Sequence, residues 1–371
     1  MTTIEEFAAG FLEDPGYLDF GRVGPLSAAV VAELQGGMDT LGKARFGSIA
    51  LLTAEGERLH SAVAEHTGFP ADQIVTQPNT GSALLHTLFG LSGTVLVSAA
   101  EFPSVTLAAA RAAEALHTLE PSWMQPEHGR VTPGQVLEQL TAETTAVAVS
   151  LVDSRTGYLT DIEGIRQVIG DRLLIVDAIQ GLGVVDAPYS VADVVASGGQ
   201  KWTRAGWGTG FLAMSERAID RILPVFSGAT GTDAPEPFDE IFPPTRGVRA
   251  FSVSNADRLA EARFAAALEE IDSVGVPDIQ DAVSQRVDAV IDLADEFAIP
   301  VASSRDPRER AGIVVLEPEA DQLTRLRASL FNHGVTVTTR SSTVRVSVHA
   351  VTAPETMDML RGAFSEFARA S

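Results

Sequence analysis

Five short apolar runs recur through the first 250 residues, at 94–98, 146–152, 173–177, 193–196 and 210–214, with longer stretches of helical spacing between them. Runs this short and this uniformly apolar predict strands buried on both faces. One helix is expected at 105–116. Another should open at Thr132-Pro133-Gly134-Gln135, where a threonine N-cap is followed three residues on by glutamine. Strand–helix alternation of this kind constrains the chain to an α/β fold with a mostly parallel sheet covered on both sides. Ligands in such sheets bind beyond the carboxyl ends of the strands. The residues just after each apolar run are therefore where chemistry is expected.

The pattern changes after a proline-rich stretch, Ala234-Pro235-Glu236-Pro237 through Pro243-Pro244, which reads as a loop or a partner-contacting segment. Helices are expected at 255–274 and 278–297. They are followed by a strand at 312–317, a helix at 320–332 stopped by Gly334, and strands at 335–339 and 343–349. A last helix should begin at Thr352-Ala353-Pro354-Glu355, with capping-box spacing and proline in its first turn. This divides the chain into an N-terminal segment (1–20), a large domain (21–254) and a smaller C-terminal α/β domain (255–371).

Two of the strand ends carry unusual residues. The run Leu174-Ile175-Val176 ends in Asp177. Twenty-four residues later Lys201 follows Ser197-Gly198-Gly199-Gln200. The chain holds only two lysines, Lys43 and Lys201, against twenty-five arginines. A lysine kept in an arginine-rich chain points to chemistry that a guanidinium cannot perform, because only the amine forms a Schiff base. Lys201 with Asp177 is what a pyridoxal 5'-phosphate (PLP) enzyme requires. The amine would join the cofactor aldehyde, and the carboxylate would pair with the pyridine nitrogen. Asp177 is otherwise an N-cap, and Lys201 otherwise a surface residue after a turn.

Around this pair the remaining candidates fall into place. Asn79-Thr80-Gly81-Ser82 opens a helical pattern after the apolar pair Ile74-Val75, so its N–H groups and hydroxyls form a natural anion site. Ser197 and Gln200 could add donors to the same phosphate. Phe102, just past the 94–98 run, could stack on the cofactor ring. Gln180 could hydrogen-bond the ring's phenolic oxygen. Arg345 in Thr343-Val344-Arg345-Val346-Ser347 offers a fork for an amino-acid carboxylate, with Arg340 competing for that role.

Composition narrows the alternatives. A formal charge of −22 argues against nucleic acid or an anionic membrane as partner. The chain has no cysteine, so thiolate metal sites and thiol nucleophiles are excluded for it. The seven histidines show no metal-ligand spacing, and no metal is assigned. Neither a GxGxxG after a strand nor a GxxxxGK[ST] loop occurs. The first residues lack a signal-peptide pattern and no run of eighteen apolar residues appears, so a cytoplasmic enzyme is expected.

Several motifs together resemble the class V aminotransferase family of fold-type I PLP enzymes. They are Tyr17-Leu18-Asp19 with Gly24-Pro25-Leu26, Thr80-Gly81-Ser82, Val176-Asp177-Ala178-Ile179-Gln180-Gly181, Gly199-Gln200-Lys201-Trp202 and Arg345-Val346-Ser347-Val348-His349. The family also holds cysteine desulfurases, kynureninases and isopenicillin-N-epimerase-like proteins. The resemblance implies the fold-type I architecture, Lys201 as the cofactor-linked lysine and Asp177 as the pyridinium partner. It implies Gln180 at the phenolic oxygen, and Thr80, Gly81, Ser82 and Ser197 at the phosphate. A phosphate contact from the neighbouring subunit is usual in the family. Here Ser254 or Asn255 stands at that place, which implies a homodimer with a shared site. The implied activity is on a small amino-acid substrate, as aminotransferase first. A β-eliminating C–S lyase is the alternative, with kynureninase-like and epimerase-like reactions below it. A desulfurase that forms a protein persulfide needs a cysteine this chain lacks. A PLP-binding module without catalysis is disfavoured by the intact Lys201, Asp177 and Gln180.

Overall fold

The computed structural model describes residues 2–233 and 240–369. Each apolar run expected to be a strand forms one. Among the described residues the larger sheet contains β1 (Ile74–Thr76), β2 (Gly93–Ser98), β3 (Leu119–Met124), β4 (Thr144–Ser150), β5 (Leu173–Asp177), β6 (Val194–Gly198) and β7 (Gly210–Met214), in the order β1-β7-β6-β5-β4-β2-β3. Strands β3, β2, β4, β5 and β6 pair in parallel, whereas β7 runs antiparallel to both of its neighbours. Strands β2, β4 and β6 differ from the expected limits by one or two residues at an end, and two of these ends have visible reasons. Val152 pairs only as an isolated bridge with Leu159. Asp193 lies just before β6 because its carboxylate gathers Leu174 N–H at 2.8 Å, Arg166 at 3.0 Å and Arg217 at 2.7 Å.

Alternation along the strands sorts the apolar side chains into two cores. Leu173 and Ile175 pack with Ala146, Ala148, Val194 and Ala196 on one face, while Leu174 and Val176 pack with Val147, Val149 and Val195 on the other. Of the helices α1 (Ile4–Ala9), α2 (Ala28–Lys43), α3 (Ser48–Thr53), α4 (Glu55–Thr67), α5 (Thr80–Gly90) and α6 (Pro103–Leu116), the last two cover the first face. They do so through Ala83, Leu84, Leu88, Val105, Ala108 and Ala112. Asp177 has the parity of Leu173 and Ile175, so it projects on the side where α5 and α6 begin.

Three short helices, α7 (Pro133–Gln139), α8 (Ile162–Val168) and α9 (Glu216–Arg221), complete the connections within this sheet. At α7 the expected threonine cap forms, Gln135 N–H donating to Thr132 Oγ1 at 3.3 Å. Pro235 and Pro237 lie outside the described residues. The following Pro244 bridges to Thr232, and the rest of 240–244 has neither helix nor strand. Helix α10 (Arg258–Val274) lies against α2 and α4, and α11 (Val276–Glu296) follows it. Strands β8 (Ile313–Leu316), β9 (Thr338–Thr339) and β10 (Val344–Ser347) form a small antiparallel sheet in the order β8-β10-β9. Helices α12 (Leu323–Asn332) and α13 (Pro354–Arg369) pack together beside it. The Thr352 hydroxyl, expected to cap α13, instead accepts from His349 N–H at 2.9 Å, and among the described residues no N–H of the first turn of α13 donates to it.

The N-terminal segment joins this small sheet to the large one. Leu18 N–H donates to Thr336 O and Ser347 N–H donates to Leu18 O. The chain then turns past Gly21 to Gly24, whose N–H donates to Gln200 O at 2.9 Å. The backbone approach there is tight: a Cβ on Gly24 would lie 2.1 Å from Lys201 O. Gly24→Ala is therefore expected to lower stability by about 1–3 kcal/mol through overpacking. The check is a lowered melting temperature with unchanged helix and strand content.

Candidate active site

Asp177, Lys201 and the segments that surround them meet at the carboxyl edge of the large sheet. Lys201 follows β6 and is held by its neighbour. Trp202 is buried, stacks on Phe20 and His349, and donates its indole N–H to Gln180 Oε1 at 2.9 Å. His349 Nε2 meets Trp202 O at 3.1 Å, and burial pushes this imidazole down to about 3, so it stays neutral at working pH. The buried Arg204 closes the turn with φ +61°. Its guanidinium lies 3.6 Å from the Phe11 ring centroid and pairs with Glu13. Arg204 thus anchors the lysine loop and is turned away from the substrate side.

The Lys201 ammonium is largely out of water. Burial pushes it down to about 8; Asp177 counteracts this, while Arg345 and Arg340 add to it. The nitrogen stands 5.4 Å from the centroid of the Phe102 ring, and Phe102 itself is 42% exposed. The ring thus presents an open face toward the lysine. Asp177 is buried, and its carboxyl is pushed up to about 6 by that burial. Its Oδ1 accepts from Ile179 N–H at 3.1 Å, and among the described residues no cation is paired with it. A buried carboxyl without a cation in contact invites one.

Phosphate-side candidates also converge. Asn79 caps α5 by accepting Ser82 N–H at 2.9 Å and the Ser82 hydroxyl at 3.3 Å. Ser82 is thereby tied to the cap. The Thr80 and Gly81 N–H groups remain at the helix start. Thr80 Oγ1 is buried with no hydrogen-bond partner among the described residues. Ser197 Oγ, also buried, donates among the described residues only to the adjacent Gly198 O at 3.2 Å. A Cβ on Gly198 would sit 2.4 Å from Gln200 Oε1 and 3.2 Å from Thr80 Oγ1, so glycine keeps a small polar hollow open between them. An orphaned buried hydroxyl, free helix-start donors and this hollow suit a phosphate.

Gln180 is engaged at both ends, with Nε2 donating to Gly21 O at 2.9 Å and Oε1 taking the Trp202 indole. One Nε2 hydrogen remains for a ligand. Arg345, from β10, is buried. Its Nη1 donates to Ser154 O at 3.2 Å, and its Nη2 to Thr338 Oγ1 at 3.1 Å and Asp19 Oδ1 at 3.4 Å; among the described residues Nε has no partner. Arg340 is half-buried and donates to the same Ser154 O at 3.1 Å. Asp19 offsets only part of the positive charge that Arg345, Arg340 and Arg22 bring to this corner, which suits a carboxylate. Asp19 had no assigned role in the sequence, because only the docking of the N-terminal segment on β10 reveals its position.

Ser254 and Asn255 are exposed, and among the described residues neither hydrogen-bonds to Thr80, Ser82 or Ser197. They stand on the rim of a cleft of about 1060 Å³ whose wall also includes His60, Ser82, Leu85 and His86. No group of three or more potential metal ligands occurs among the described residues, and no helix there is long and apolar enough to cross a membrane.

Residues 49–363 match the family model of aminotransferase class V. The chain belongs to the class V aminotransferase family. It is 29% identical over 231 residues to a kynureninase of Deinococcus radiodurans, and 33% identical over 105 residues to a soluble hydrogenase 42 kDa subunit of Anabaena cylindrica. These matches span 54% and 26% of those proteins and 60% and 26% of this chain. Among solved structures the fold is similar to the apo cysteine desulfurase of Thermococcus onnurineus, with a TM-score of 0.86 at 20% identity over 96% of this chain and 95% of that one. It is also similar to the cystine C–S lyase C-DES in complex with its product cysteine persulfide, with a TM-score of 0.85 at 18% identity over 96% and 98%. At these identities the likeness is one of fold, and it is the fold-type I architecture. The family's cofactor is PLP, and the residues at the sheet edge fit it. Among the described residues Asp177 is in no ion pair, burial brings the Lys201 amine down to about 8, Phe102 offers a ring face, and the hollow at Thr80 and Gly198 suits an anion.

Proposed function

We propose that this protein is a PLP-dependent aminotransferase acting on a small amino acid. The observation that carries the reading is Lys201. It is a buried amine brought down to about 8, within electrostatic reach of the Asp177 carboxyl and of Arg345 and Arg340. When bound, PLP supplies an electron sink for charge developing at the substrate Cα. Thr80, Gly81, Ser197 and Gln200 would hold the phosphate, with Ser82 fixing the helix start. Asp177 would pair with the pyridine nitrogen, Gln180 would reach the phenolic oxygen with its spare hydrogen, and Phe102 would cover one ring face. Arg345, through its unpartnered Nε, and Arg340 would orient the substrate carboxylate. Lys201, once its amine is free, is the base placed to take the Cα proton and return it. A base with a proton affinity near the working pH transfers in both directions.

A second reading, a β-eliminating C–S lyase, is supported by the similarity in fold to a cystine C–S lyase and by the fact that direct elimination needs no thiol on the chain. Mixing the PLP-loaded protein with single L-amino acids and cystine, without an acceptor, separates the two. The aminotransferase reading expects no more than one equivalent of keto acid per site. Multiple equivalents of pyruvate with ammonia or a persulfide would replace it by the lyase. Arg345→Ala is expected to lower kcat/KM for the amino acid by about 10–100-fold, the range of a charge-assisted hydrogen bond, mostly through KM.

The proposed assembly is a homodimer in which Ser254 or Asn255 reaches the partner's phosphate site. Their exposure at the rim of a cleft that ends near Ser82 supports this. Mixing Lys201→Ala with a Ser254→Ala/Asn255→Ala double variant tests it. Activity restored to about a quarter of the wild-type level, one competent site in half the dimers, is expected. No recovery in mixed dimers would overturn the shared site. The division at 20 and 254 remains our proposal for the domain limits.

A further inference from the structure

A further carboxyl, that of Glu101, lies at the edge of the site. Glu101 lies in the turn between β2 and α6, one residue before Phe102. Its side chain crosses to the last residue of β4. Ser150 N–H donates to Glu101 Oε1 at 2.9 Å, and Ser150 Oγ bonds Oε2. Ser150 is in turn the register partner of Asp177 on β5. Glu101, Ser150 and Asp177 thus form a line across the ends of three adjacent strands, β2, β4 and β5. Phe102 begins α6 without any side-chain cap, so the Glu101–Ser150 tie holds that helix start to the sheet.

We propose that Glu101 is a positioning residue: it fixes Phe102 opposite Lys201 by tying α6 to β4, and it sets a second carboxyl beside Asp177. This rests on the PLP reading only for what Phe102 covers. The charged groups that face Glu101 are Asp177 from β5 and Asp153 from the loop after β4. Burial first, and repulsion from these two carboxylates second, push Glu101 up to about 7 against the pull of the two Ser150 bonds. The carboxyl therefore binds a proton more readily than an exposed glutamate does. A cation beside Asp177 would cancel the repulsion and favour ionisation of Glu101.

The test has one arm that needs no cofactor. In apoprotein carrying carbon-13 in its glutamate carboxyls, the Glu101 resonance is the one lost in Glu101→Gln. Its midpoint is expected near 7 and should fall by about half a unit or more in Asp177→Asn, because a neighbouring negative charge has gone. In the second arm PLP affinity is measured by quenching of tryptophan fluorescence. Glu101→Gln keeps the acceptor for Ser150 N–H and should bind within about twofold of wild type. Glu101→Ala and Ser150→Ala should bind about tenfold more weakly. A Glu101 midpoint indifferent to Asp177→Asn, or Glu101→Ala binding as tightly as wild type, overturns the proposal. Failure of the cofactor reading is seen separately, as wild-type protein that takes up no PLP while the apoprotein titration stands.

Discussion

Alanine in place of Lys201 is expected to leave protein that folds, binds PLP only weakly and shows no visible band, with turnover down by ~10³-fold or more, the usual worth of a positioned base. Arginine at 201 should behave the same way, since a guanidinium carries charge but no free amine. Stability separates this from a trivial unfolding. In the wild type the ammonium is held at about 8 against an ordinary 10.5, so the unfolded chain binds this proton more tightly. The cost is present in full below pH 8 and fades as pH rises towards 10.5. Removing Lys201 removes that cost at neutral pH, but it also takes away the one nearby cation that favours ionised Asp177. The two effects oppose each other, and the apoprotein should melt within a few degrees of wild type. Trp202, His349 and Arg204 keep the loop in place in both. A collapse in melting temperature would mean that Lys201 is structural.

Asp177→Asn should show the opposite coupling of stability and function. A buried carboxyl pushed up to about 6 from 3.8 binds its proton more tightly in the folded chain. Its contribution is therefore favourable in acid, and it is lost as pH rises from 3.8 through 6. At neutral pH the ionised group costs ~3 kcal/mol in the apoprotein. Asparagine keeps an acceptor for Ile179 N–H and carries no charge. The variant apoprotein should melt higher than wild type at neutral pH, with the gap closing as pH falls below 6. Activity should drop on the order of 10³-fold, the scale of breaking a buried charge pair, because asparagine cannot match a cationic pyridine nitrogen. Calorimetry across pH checks the first half and steady-state kinetics the second. A variant less stable than wild type at neutral pH would contradict this account of Asp177.

Much of this was legible in the chain because the parallel strands are nearly pure apolar runs, and their ends mark the site. Asp177, Lys201 and the Thr80 helix start needed only that rule. Strand β3 was not legible: Leu119-Glu120-Pro121-Ser122-Trp123-Met124 mixes polar residues and a proline, which an edge strand tolerates because its outer N–H groups need no partner. Strand β1 has three residues, too few for a pattern. Asp19, Glu101 and Ser150 are far from Lys201 in sequence, and although Asp19 falls in a family motif, nothing local says which partners any of the three meets. Their roles arise from tertiary closeness, where the N-terminal segment meets β10 and the β2–α6 turn meets β4. The engagement of Gln180 by Trp202 and Gly21 is of the same kind. It gives a physical reason for tryptophan after the lysine that the motif alone does not reveal.

The central claim is that one lysine of this chain carries the cofactor. With only two lysines present, borohydride reduction of the PLP-loaded protein followed by peptide mapping decides it. The account predicts a single pyridoxyl group per chain, on the peptide that contains Lys201, and none on the peptide that contains Lys43. Label on Lys43, or no stable label at all, would contradict it.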